Sequence, residues 1–328
     1  MPPRLSIVVV SYNTRDLLRR CLASIVDNPL HVVVGSRHEP EERIDARCLP
    51  HSDSSVCCEI IIVDNASSDG SADMVESEFP AVRLMRADRN LGFARATNLG
   101  LGATSGGLVL LLNPDTEVLD GALREMAAFL DQMPSVGCVG PSLIYPDGSR
   151  QHAAFQLPTI WMSFFDVFPV HHRLLESSLN GRYPAPSDGK PIPVGHPLGA
   201  AMMIRREALE QVGPLDDEFF MYCEEVDWCI RAQRAGWKVY HLPSARIIHH
   251  SGQSTRQFRE SMLIELHRSR YRLFRKHYSP AFVGAHRVIT RAGMTKESLM
   301  SRWAARRGDI SPEELRSRLR AYSAIWGM

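Results

Sequence analysis

The chain has 328 residues, of which 44% are hydrophobic and 23% are charged, with 38 Lys or Arg against 37 Asp or Glu. These proportions are ordinary for a globular protein and exclude a disordered, collagen-like or coiled-coil chain. A formal net charge of +1 excludes a global electrostatic attraction for nucleic acid. The seven cysteines include no Cys-x-x-Cys pair, which is typical of reduced thiols and not of a disulfide framework.

The charge is unevenly distributed along the chain. Residues 256–307 contain thirteen Lys or Arg and three Glu, so a basic C-terminal part follows a more acidic body. No signal peptide is apparent, and the apolar run Leu108–Leu112 is far shorter than the roughly 20 residues that span a bilayer. We expect a cytoplasmic protein, with peripheral contact at the inner face of the cytoplasmic membrane as an open alternative.

Apolar runs and amphipathic segments alternate through residue 132. Strands are predicted at Leu5–Val10, Glu59–Val63, Val82–Arg86 and Leu108–Leu112, and helices at Arg15–Ile25, Gly70–Glu78, Gly92–Ala103 and Asp120–Gln132. This alternation predicts an α/β fold with a mainly parallel, Rossmann-like sheet flanked by helices on both faces.

The remainder of the chain is less regular. The connection 27–56 is too long for a helix-to-strand loop and is interpreted as a surface insertion of unassigned role. Residues 141–195 are rich in Pro, Gly and aromatic residues, which fits either an acceptor-side lobe or irregular packing. Further elements are predicted at Gly199–Arg205, Arg206–Val212, Glu224–Ala235, Lys238–His241, Ala245–His250 and, as a basic amphipathic helix, Met262–His277. An Arg-rich helical segment follows Pro280.

Polar side chains follow three of the predicted strands, at Ser11-Tyr12-Asn13, Asp64-Asn65 and Asn113-Pro114-Asp115. Ligands of open parallel sheets bind beyond the carboxyl ends of the strands, so we predict a site here in preference to ordinary polar loops. A carboxylate at Asp115 can hold a divalent cation against a diphosphate, and an oxygen-rich site suits Mg²⁺ or Mn²⁺. The alternative role for Asp115 is that of a turn or cap residue.

Six segments together resemble a known family. They are SIVVVSYN, IIVDNASSDGS, RNLGFARATNLG, LLLNPDTE, EEVDWCIRAQRAGW and HHSG. In this order and spacing, over residues 4–279, they resemble the family 2 glycosyltransferases of the GT-A fold, nearest to a bacterial rhamnosyltransferase-like subgroup. The resemblance implies a GT-A domain over residues 1–279, with an acceptor-side region near 141–255, and a basic helical extension over residues 280–328.

The resemblance assigns metal and donor residues. Asp115 takes the second position of the family's D-x-D motif, with Asn113 at the first, and His249 is a further ligand of the divalent metal, with His250 as the alternative. Asp64 accepts the imide N–H of uracil or thymine, although a turn-capping role is also open. The remaining donor contacts are assigned to Ser11, Tyr12, Asn13, Asn65, Arg89, Asn90, Asn98, Asn113 and, in a loop over the sugar and acceptor, Gly199.

An acidic cluster at Glu224, Glu225 and Asp227 opens a predicted helix. Sugar transfer to a hydroxyl needs a general base. The family has Glu-Asp-x-Asp here, with the Asp of the Glu-Asp pair as the base, so the resemblance places Glu225 in that role. Neighbouring carboxylates would raise its pKa. Glu224, Asp227 and the simple preference for acids in a first helical turn remain the alternatives.

The function implied is that of an inverting glycosyltransferase. The donor is a nucleoside-diphosphate sugar, dTDP-L-rhamnose by resemblance, and the acceptor is a hydroxyl of a glycan or a polyprenyl-diphosphate-linked sugar of the cell envelope. One alternative is a UDP-sugar donor such as galactofuranose or N-acetylglucosamine; the other is a non-catalytic nucleotide-sugar-binding or scaffold protein. The basic helix Met262–His277 is expected on anionic lipid, near the diphosphate of an acceptor, or as a solvated face packed on the acidic body. The oligomeric state is not predicted.

Overall fold

The computed structural model describes residues 3–27, 30–32, 56–183, 189–251 and 259–328. The chain divides into two compact units. Unit 1 comprises Met1–Phe155, Ala185–Glu218 and Glu225–Ser254, and unit 2 comprises Gln156–Pro184, Phe219–Glu224 and Thr255–Met328. The surface insertion predicted from the sequence lies, over residues 33–55, outside the described residues.

The strands belong to unit 1. They are β1 (Leu5–Ser11), β2 (Leu30–Val32), β3 (Val56–Asp64), β4 (Arg83–Arg86), β5 (Leu108–Leu112), β6 (Thr116–Val118), β7 (Val136–Ile144), β8 (Arg150–Gln151), β9 (Ala154–Phe155), β10 (Ile192–Pro193), β11 (His196–Pro197), β12 (Ala201–Arg205) and β13 (Lys238–His249).

The helices are α1 (Arg15–Val26), α2 (Ser71–Glu78), α3 (Phe93–Leu101), α4 (Ala122–Gln132), α5 (Ile160–Val167), α6 (His172–Leu175), α7 (Arg206–Val212), α8 (Glu224–Arg234), α9 (Arg259–His277), α10 (Pro280–Arg307) and α11 (Pro312–Trp326). Unit 2 contains α5, α6 and α9 to α11. None of the helices in the described ranges is both long enough and apolar enough to cross a bilayer.

The main sheet has the strand order β10-β13-β7-β12-β5-β1-β3-β2, with β4 on β3, β6 on β13 and β8 on β7. Strand β1 runs parallel to β3 and β5, and β3 runs parallel to β2 and β4. The predicted α/β fold with a mainly parallel, helix-flanked sheet is confirmed. Strand β12 lies antiparallel between β5 and β7, which the strand–helix alternation did not predict.

The core of unit 1 explains why these segments are strands and helices. Strands β1, β3 and β5 have apolar side chains facing both ways, and β1 and β5 are buried along their whole length, as expected for central strands covered on both faces. Helix α1 buries Leu18, Cys21, Leu22 and Ile25, a 3–4-residue spacing that places one apolar stripe against the sheet. Fully burying such a side chain contributes about 1.5–3 kcal/mol.

Two predicted segments merge in the structure. The strand predicted at Lys238–His241 and the segment predicted at Ala245–His250 form the single strand β13, whose pairing with β7 is interrupted by an irregularity between Leu242 and Arg246. The interruption lets β13 continue beside β6, where His249 pairs with Thr116. The end of β13 therefore lies next to the turn that follows β5.

Unit 2 is a helical body whose interior contains polar as well as apolar side chains. Gly293 of α10 lies so close to α5 that a Cβ there would be 1.6 Å from Val167 Cγ1. Arg270 of α9 forms an ion pair with Asp166 of α5 (2.8 Å). His286 of α10 is buried and its Nδ1 hydrogen-bonds with Ser163 Oγ (3.0 Å). Contacts join α9 to α10 and α11, so α9 belongs to the same compact unit as the helices that follow residue 279.

Candidate active site

The register of the parallel strands gathers the predicted strand-end residues at one edge of the sheet. Ser11 pairs with Asp64, and Val9 pairs with Leu112, the last residue before the Asn113–Asp115 turn. Ser11 is completely buried and its Oγ is 2.9 Å from Thr14 Oγ1. Its backbone oxygen accepts from Asn65 N (2.8 Å). The ends of β1, β3 and β5 thus form one continuous polar edge.

Asp64 carries an unsatisfied acceptor at this edge. The residue is 4% exposed, and its Oδ2 accepts from Ser67 N (3.1 Å). Its Oδ1 is buried and accepts no hydrogen bond from the described residues. Leaving a buried acceptor unpaired costs about 1–3 kcal/mol, so such an atom indicates a ligand donor. One oxygen of Asp64 caps the following turn, and the other is available to a ligand.

Asn65 and Asn90 hold a loop in place. Asn65 Oδ1 accepts from Leu91 N (2.8 Å), and its Nδ2 donates to Asn90 Oδ1 (3.1 Å) and to Gly92 O (3.2 Å). Asn90 Oδ1 also accepts from Gly92 N (2.9 Å). The amide of Asn65 is therefore used within the protein, which favours a role in shaping the 89–92 loop. Arg89 is exposed, and no hydrogen bond or ion pair with the described residues holds its guanidinium.

Other residues that were predicted to contact the donor also form hydrogen bonds within the protein. Asn13 Oδ1 accepts from Ser68 N (2.8 Å), and Asn13 N donates to Ser67 Oγ (3.0 Å), so Asn13 joins the β1 and β3 ends. Asn98 exchanges two hydrogen bonds with the backbone of Leu215 (2.7 and 3.0 Å), which favours a positioning role over a direct donor contact. Tyr12 is half-buried beside this edge.

The turn after β5 is tightly fixed. Asn113 N donates to Ala200 O (2.9 Å), and Asn113 O accepts from Thr116 Oγ1 (2.7 Å) and from the thiol of Cys21 (3.7 Å). Burial raises the pKa of Cys21 to about 12, so it stays a neutral thiol beneath the turn. Asp115 is 3% exposed, and its Oδ1 is a second buried acceptor for which the described residues supply no hydrogen bond.

His249 faces Asp115 across this turn. His249 Nε2 lies 3.4 Å from Asp115 Oδ1, and its Nδ1 lies 2.9 Å from Oε1 of Gln151, a residue that the sequence did not single out. Among the described residues, no three His, Cys, Asp or Glu side chains are grouped as a complete metal site. Two protein ligands nevertheless fit Mg²⁺ or Mn²⁺, which commonly take the rest of their ligands from water and substrate phosphates.

The alternative ligands are engaged elsewhere. His250 Nε2 lies 2.6 Å from Glu117 Oε1, and Arg20 Nε is 3.6 Å from the same oxygen. His250 N donates to Asp115 O, which fixes the backbone and leaves the Asp115 carboxylate unused (2.9 Å). The geometry therefore favours Asp115 and His249 as the pair that faces a cation.

Glu225 lies against the loop that contains Gly199. A Cβ at Gly199 would be 3.3 Å from both Cγ and Cδ of Glu225, so the absence of a side chain there admits the Glu225 carboxyl. The same loop accepts the hydrogen bond of Asn113 N through Ala200, which connects it to the Asp115 turn. Gly199 and Glu225 therefore lie near the Asp115 turn within unit 1.

The other two acids of the cluster differ from Glu225 in burial. Asp227 is completely buried and pairs with Arg231 (2.8 Å), whose guanidinium donates to the carbonyls of Val212 and Pro214. Glu224 is 5% exposed, whereas Glu225 is only partly buried. Asp227 therefore anchors the loop after α7, and Glu225 is the least buried residue of the three acids.

Left-handed backbone conformations occur near these residues. Asn13, Ala66, Tyr222, Cys223 and Ser251 have positive φ angles between 46° and 70° although none of them is glycine. Each lies within three residues, along the sequence, of a predicted site residue. Such conformations cost energy that the surrounding structure must offset, and they are concentrated at functional sites.

Comparisons with known proteins identify the family of the chain. The family model described as glycosyl transferase family 2 matches residues 54–213. The N-acetylglucosaminyl-diphospho-decaprenol L-rhamnosyltransferase of Mycobacterium tuberculosis is 31% identical over 231 residues, covering 65% of this chain and 73% of that protein. The dTDP-rhamnosyl transferase RfbF of Shigella flexneri is 20% identical over 247 residues, covering 71% and 76%.

A solved structure shares the fold. The mannosyltransferase PcManGT from Pyrobaculum calidifontis, in complex with GDP-Man and Mn²⁺, superposes with a TM-score of 0.54 at 15% identity, covering 100% of this chain and 86% of that one. The extent of the match to the mycobacterial enzyme, together with the family model, establishes the family. The chain belongs to glycosyltransferase family 2 and is a glycosyltransferase of the bacterial rhamnosyltransferase-like group.

Proposed function

We propose that the chain transfers L-rhamnose from dTDP-L-rhamnose to a hydroxyl of a polyprenyl-diphosphate-linked sugar, with inversion, in the synthesis of a cell-envelope glycan. The names of the mycobacterial and Shigella relatives support the rhamnosyl donor, and the first of these also supports the lipid-linked acceptor. The observation that carries the proposal is the polar edge itself. Two buried carboxylate oxygens, Asp64 Oδ1 and Asp115 Oδ1, receive no hydrogen bond from the described residues.

These two acceptors suit the two ends of a nucleoside diphosphate. Asp64 Oδ1 accepts the imide N–H of thymine, which removes its desolvation penalty and selects thymine or uracil over bases without that donor. Asp115 and His249 hold a divalent cation against the diphosphate. When bound, the cation supplies positive charge that stabilises the leaving diphosphate.

Glu225 acts on the acceptor. Its carboxylate takes the proton of the acceptor hydroxyl as the oxygen forms its bond to the anomeric carbon and the bond from that carbon to the diphosphate breaks. Gly199 leaves room for the carboxylate in this position. A positioned general base contributes about 10²–10⁴-fold to the rate. Attack from the face opposite the leaving group gives inversion.

Thermal unfolding in the presence of nucleotides tests the site. We expect dTDP with Mn²⁺ to raise the melting temperature, because a ligand at about 100 times its Kd stabilises the folded state by about 2.7 kcal/mol. EDTA and Asp115→Asn should each abolish most of that shift. Asp120→Asn, an exposed carboxylate in the same segment, is the matched control and should keep it. A full shift in Asp115→Asn would overturn the metal assignment.

Turnover separates the donor alternatives. dTDP-L-rhamnose, UDP-galactofuranose and UDP-N-acetylglucosamine are compared with a polyprenyl-diphosphate-linked N-acetylglucosamine acceptor. Transfer from the dTDP donor alone supports the proposal, and transfer from a UDP-sugar alone replaces its donor. Nucleotide binding without hydrolysis or transfer of any donor would favour the non-catalytic scaffold.

We propose in addition that unit 2 contacts an anionic membrane surface through α10. Leu299, Met300 and Trp303 are 53–60% exposed and lie on one side of the helix, with Arg302 and Arg306 exposed beside them. Exposed aromatic and aliphatic side chains flanked by arginine are typical of an interfacial helix. On the basic helix α9, by contrast, Arg270 pairs with Asp166 and Arg268 with Glu265.

Flotation with vesicles tests this surface. We expect co-flotation with phosphatidylglycerol vesicles, weaker co-flotation with phosphatidylcholine, and a loss in Trp303→Ser. Trp161→Ser is the control, since Trp161 is equally exposed in unit 2 but belongs to a cluster with Phe164 and Phe165. Equal flotation of wild type and Trp303→Ser would overturn the assignment to α10.

A further inference from the structure

Gln151 reaches the candidate metal pair because of a hairpin. Strand β7 turns at Tyr145–Ser149, where Tyr145 N donates to Ser149 O (2.8 Å), and returns as β8, which pairs Gln151 with Leu143. Gly148 has a φ of 82°, a conformation that the turn requires and that glycine adopts without strain. The hairpin buries Gln151, which is 8% exposed, beside the end of β13.

The contact of Gln151 decides the tautomer of His249. Gln151 Oε1 is an acceptor only, so the 2.9 Å contact requires a proton on His249 Nδ1. A neutral imidazole with its proton on Nδ1 has a lone pair on Nε2. That lone pair faces Asp115 Oδ1 at 3.4 Å, so two acceptors face each other with no hydrogen bond between them. A cation between them satisfies both.

We propose that Gln151 is a positioning residue that holds His249 in its Nδ1–H tautomer and keeps Nε2 available to the divalent cation. The inference rests on the proposed metal role of Asp115 and His249. Metal-bound histidines generally donate their second ring N–H to an acceptor that fixes the ring, and the loss of that acceptor typically weakens metal binding 10–100-fold. Gln151 supplies such an acceptor without adding charge to a buried site.

Removing the acceptor reverses the proton arrangement. In Gln151→Leu the Nδ1–H loses its partner. The other tautomer, with its proton on Nε2, gains a hydrogen bond to Asp115 Oδ1, so the proton occupies the place of the cation. Arg150→Leu, in the same strand but exposed, controls for changes to the hairpin.

The first test is the tautomer of His249 in the metal-free protein, read from the ¹⁵N chemical shifts of its ring in histidine-labelled samples. We expect Nδ1–H in the wild type and Arg150→Leu, and Nε2–H in Gln151→Leu. An Nε2–H tautomer in the wild type would overturn the inference, because the amide of Gln151 would then be donating to His249.

The second test is Mn²⁺ affinity, measured by electron paramagnetic resonance with dTDP present. We expect Gln151→Leu to bind Mn²⁺ about 10–100-fold more weakly than the wild type, with Arg150→Leu close to the wild type. Equal affinity in Gln151→Leu and the wild type would refute the positioning role alone. Absence of nucleotide-dependent Mn²⁺ binding in the wild type would refute the proposed metal site itself, whereas the tautomer result stands independently.

Discussion

Buried polar side chains have different roles in the two units of the chain. In unit 1, Asp64, Asp115 and His249 are buried at strand ends. Oδ1 of Asp64 and Oδ1 of Asp115 receive no hydrogen bond from the described residues. In unit 2, His267 and His286 are buried between helices as neutral groups. An unsatisfied acceptor at a sheet edge indicates a ligand, whereas a neutral histidine in a helical core makes stability depend on pH. Variants in each unit should therefore fail in different measurements.

The largest expected effect is on catalysis in unit 1. Glu225→Gln removes the proton acceptor but keeps the shape of the side chain against Gly199. We expect transfer to fall about 10²–10⁴-fold, because general-base catalysis contributes that factor. Donor binding, measured by the thermal shift with dTDP and Mn²⁺, should be unchanged.

Asp227→Asn separates this role from that of its neighbour. Its carboxylate is fully buried against Arg231, so its loss should lower the free energy of unfolding by about 3–5 kcal/mol. Asp227→Asn with normal stability and no transfer, together with active Glu225→Gln, would move the base to Asp227.

The next largest effect is on packing in unit 2. Gly293→Ala puts a methyl group 1.6 Å from Val167 Cγ1, so α5 and α10 must separate, at a cost of about 1–3 kcal/mol in the free energy of unfolding. Gly284→Ala on the same helix is the matched control: no heavy atom outside its own neighbours lies within 4 Å of the added carbon. It should stabilise α10 by about 0.5–1 kcal/mol. Chemical denaturation of both variants checks this, and equal stability would contradict the close helix packing.

The third effect is the pH dependence of unit 2. Burial, with Arg270 and His286 nearby, lowers the pKa of His267 to about 3, and burial and Arg270 lower that of His286 to about 4. As the pH falls, the unfolded state binds protons before the folded state does. The contribution of each neutral histidine to the free energy of unfolding is therefore complete above pH 6.5. This contribution declines by about 1.4 kcal/mol per pH unit as the pH falls from 6.5 toward the folded pKa.

His267→Phe should reduce this decline. Its melting temperature should fall less between pH 7 and pH 5 than that of the wild type. His172→Asn, an exposed histidine of α6, should follow the wild type. Parallel declines in all three proteins would show that His267 does not carry the acid sensitivity.

The sequence predicted most of the fold and part of the arrangement of the candidate site. Strand–helix alternation locates β1, β3 and β5, and parallel register then brings Ser11, Asp64 and the Asp115 turn to one edge without further information. The antiparallel insertion of β12 was not predictable, because a short apolar segment carries no sign of its pairing partner. That insertion brings the Gly199 loop to Asn113.

Side-chain partners were the least predictable feature. Asn65 and Asn98 resemble donor-binding residues in their motifs, yet both amides bond to loop backbone. Gln151 lies 98 residues from His249, and nothing in its neighbourhood marks it as functional. Residue type and spacing indicate which atoms are available for chemistry, but tertiary packing decides which of them the protein uses itself.

The smallest expected effect tests whether Gly199 of unit 1 serves packing or catalysis. Gly199→Ala places a methyl group 3.3 Å from Glu225 Cγ and Cδ, close enough to displace the flexible carboxyl by a few tenths of an ångström. Because the displaced group is the end of a side chain and not backbone, the melting temperature should change little. Transfer should fall about tenfold, which corresponds to about 1.4 kcal/mol in the activation free energy. A loss of stability with unchanged turnover of the folded fraction would show that Gly199 serves packing. Its contact with Glu225 would then no longer support Glu225 as the base.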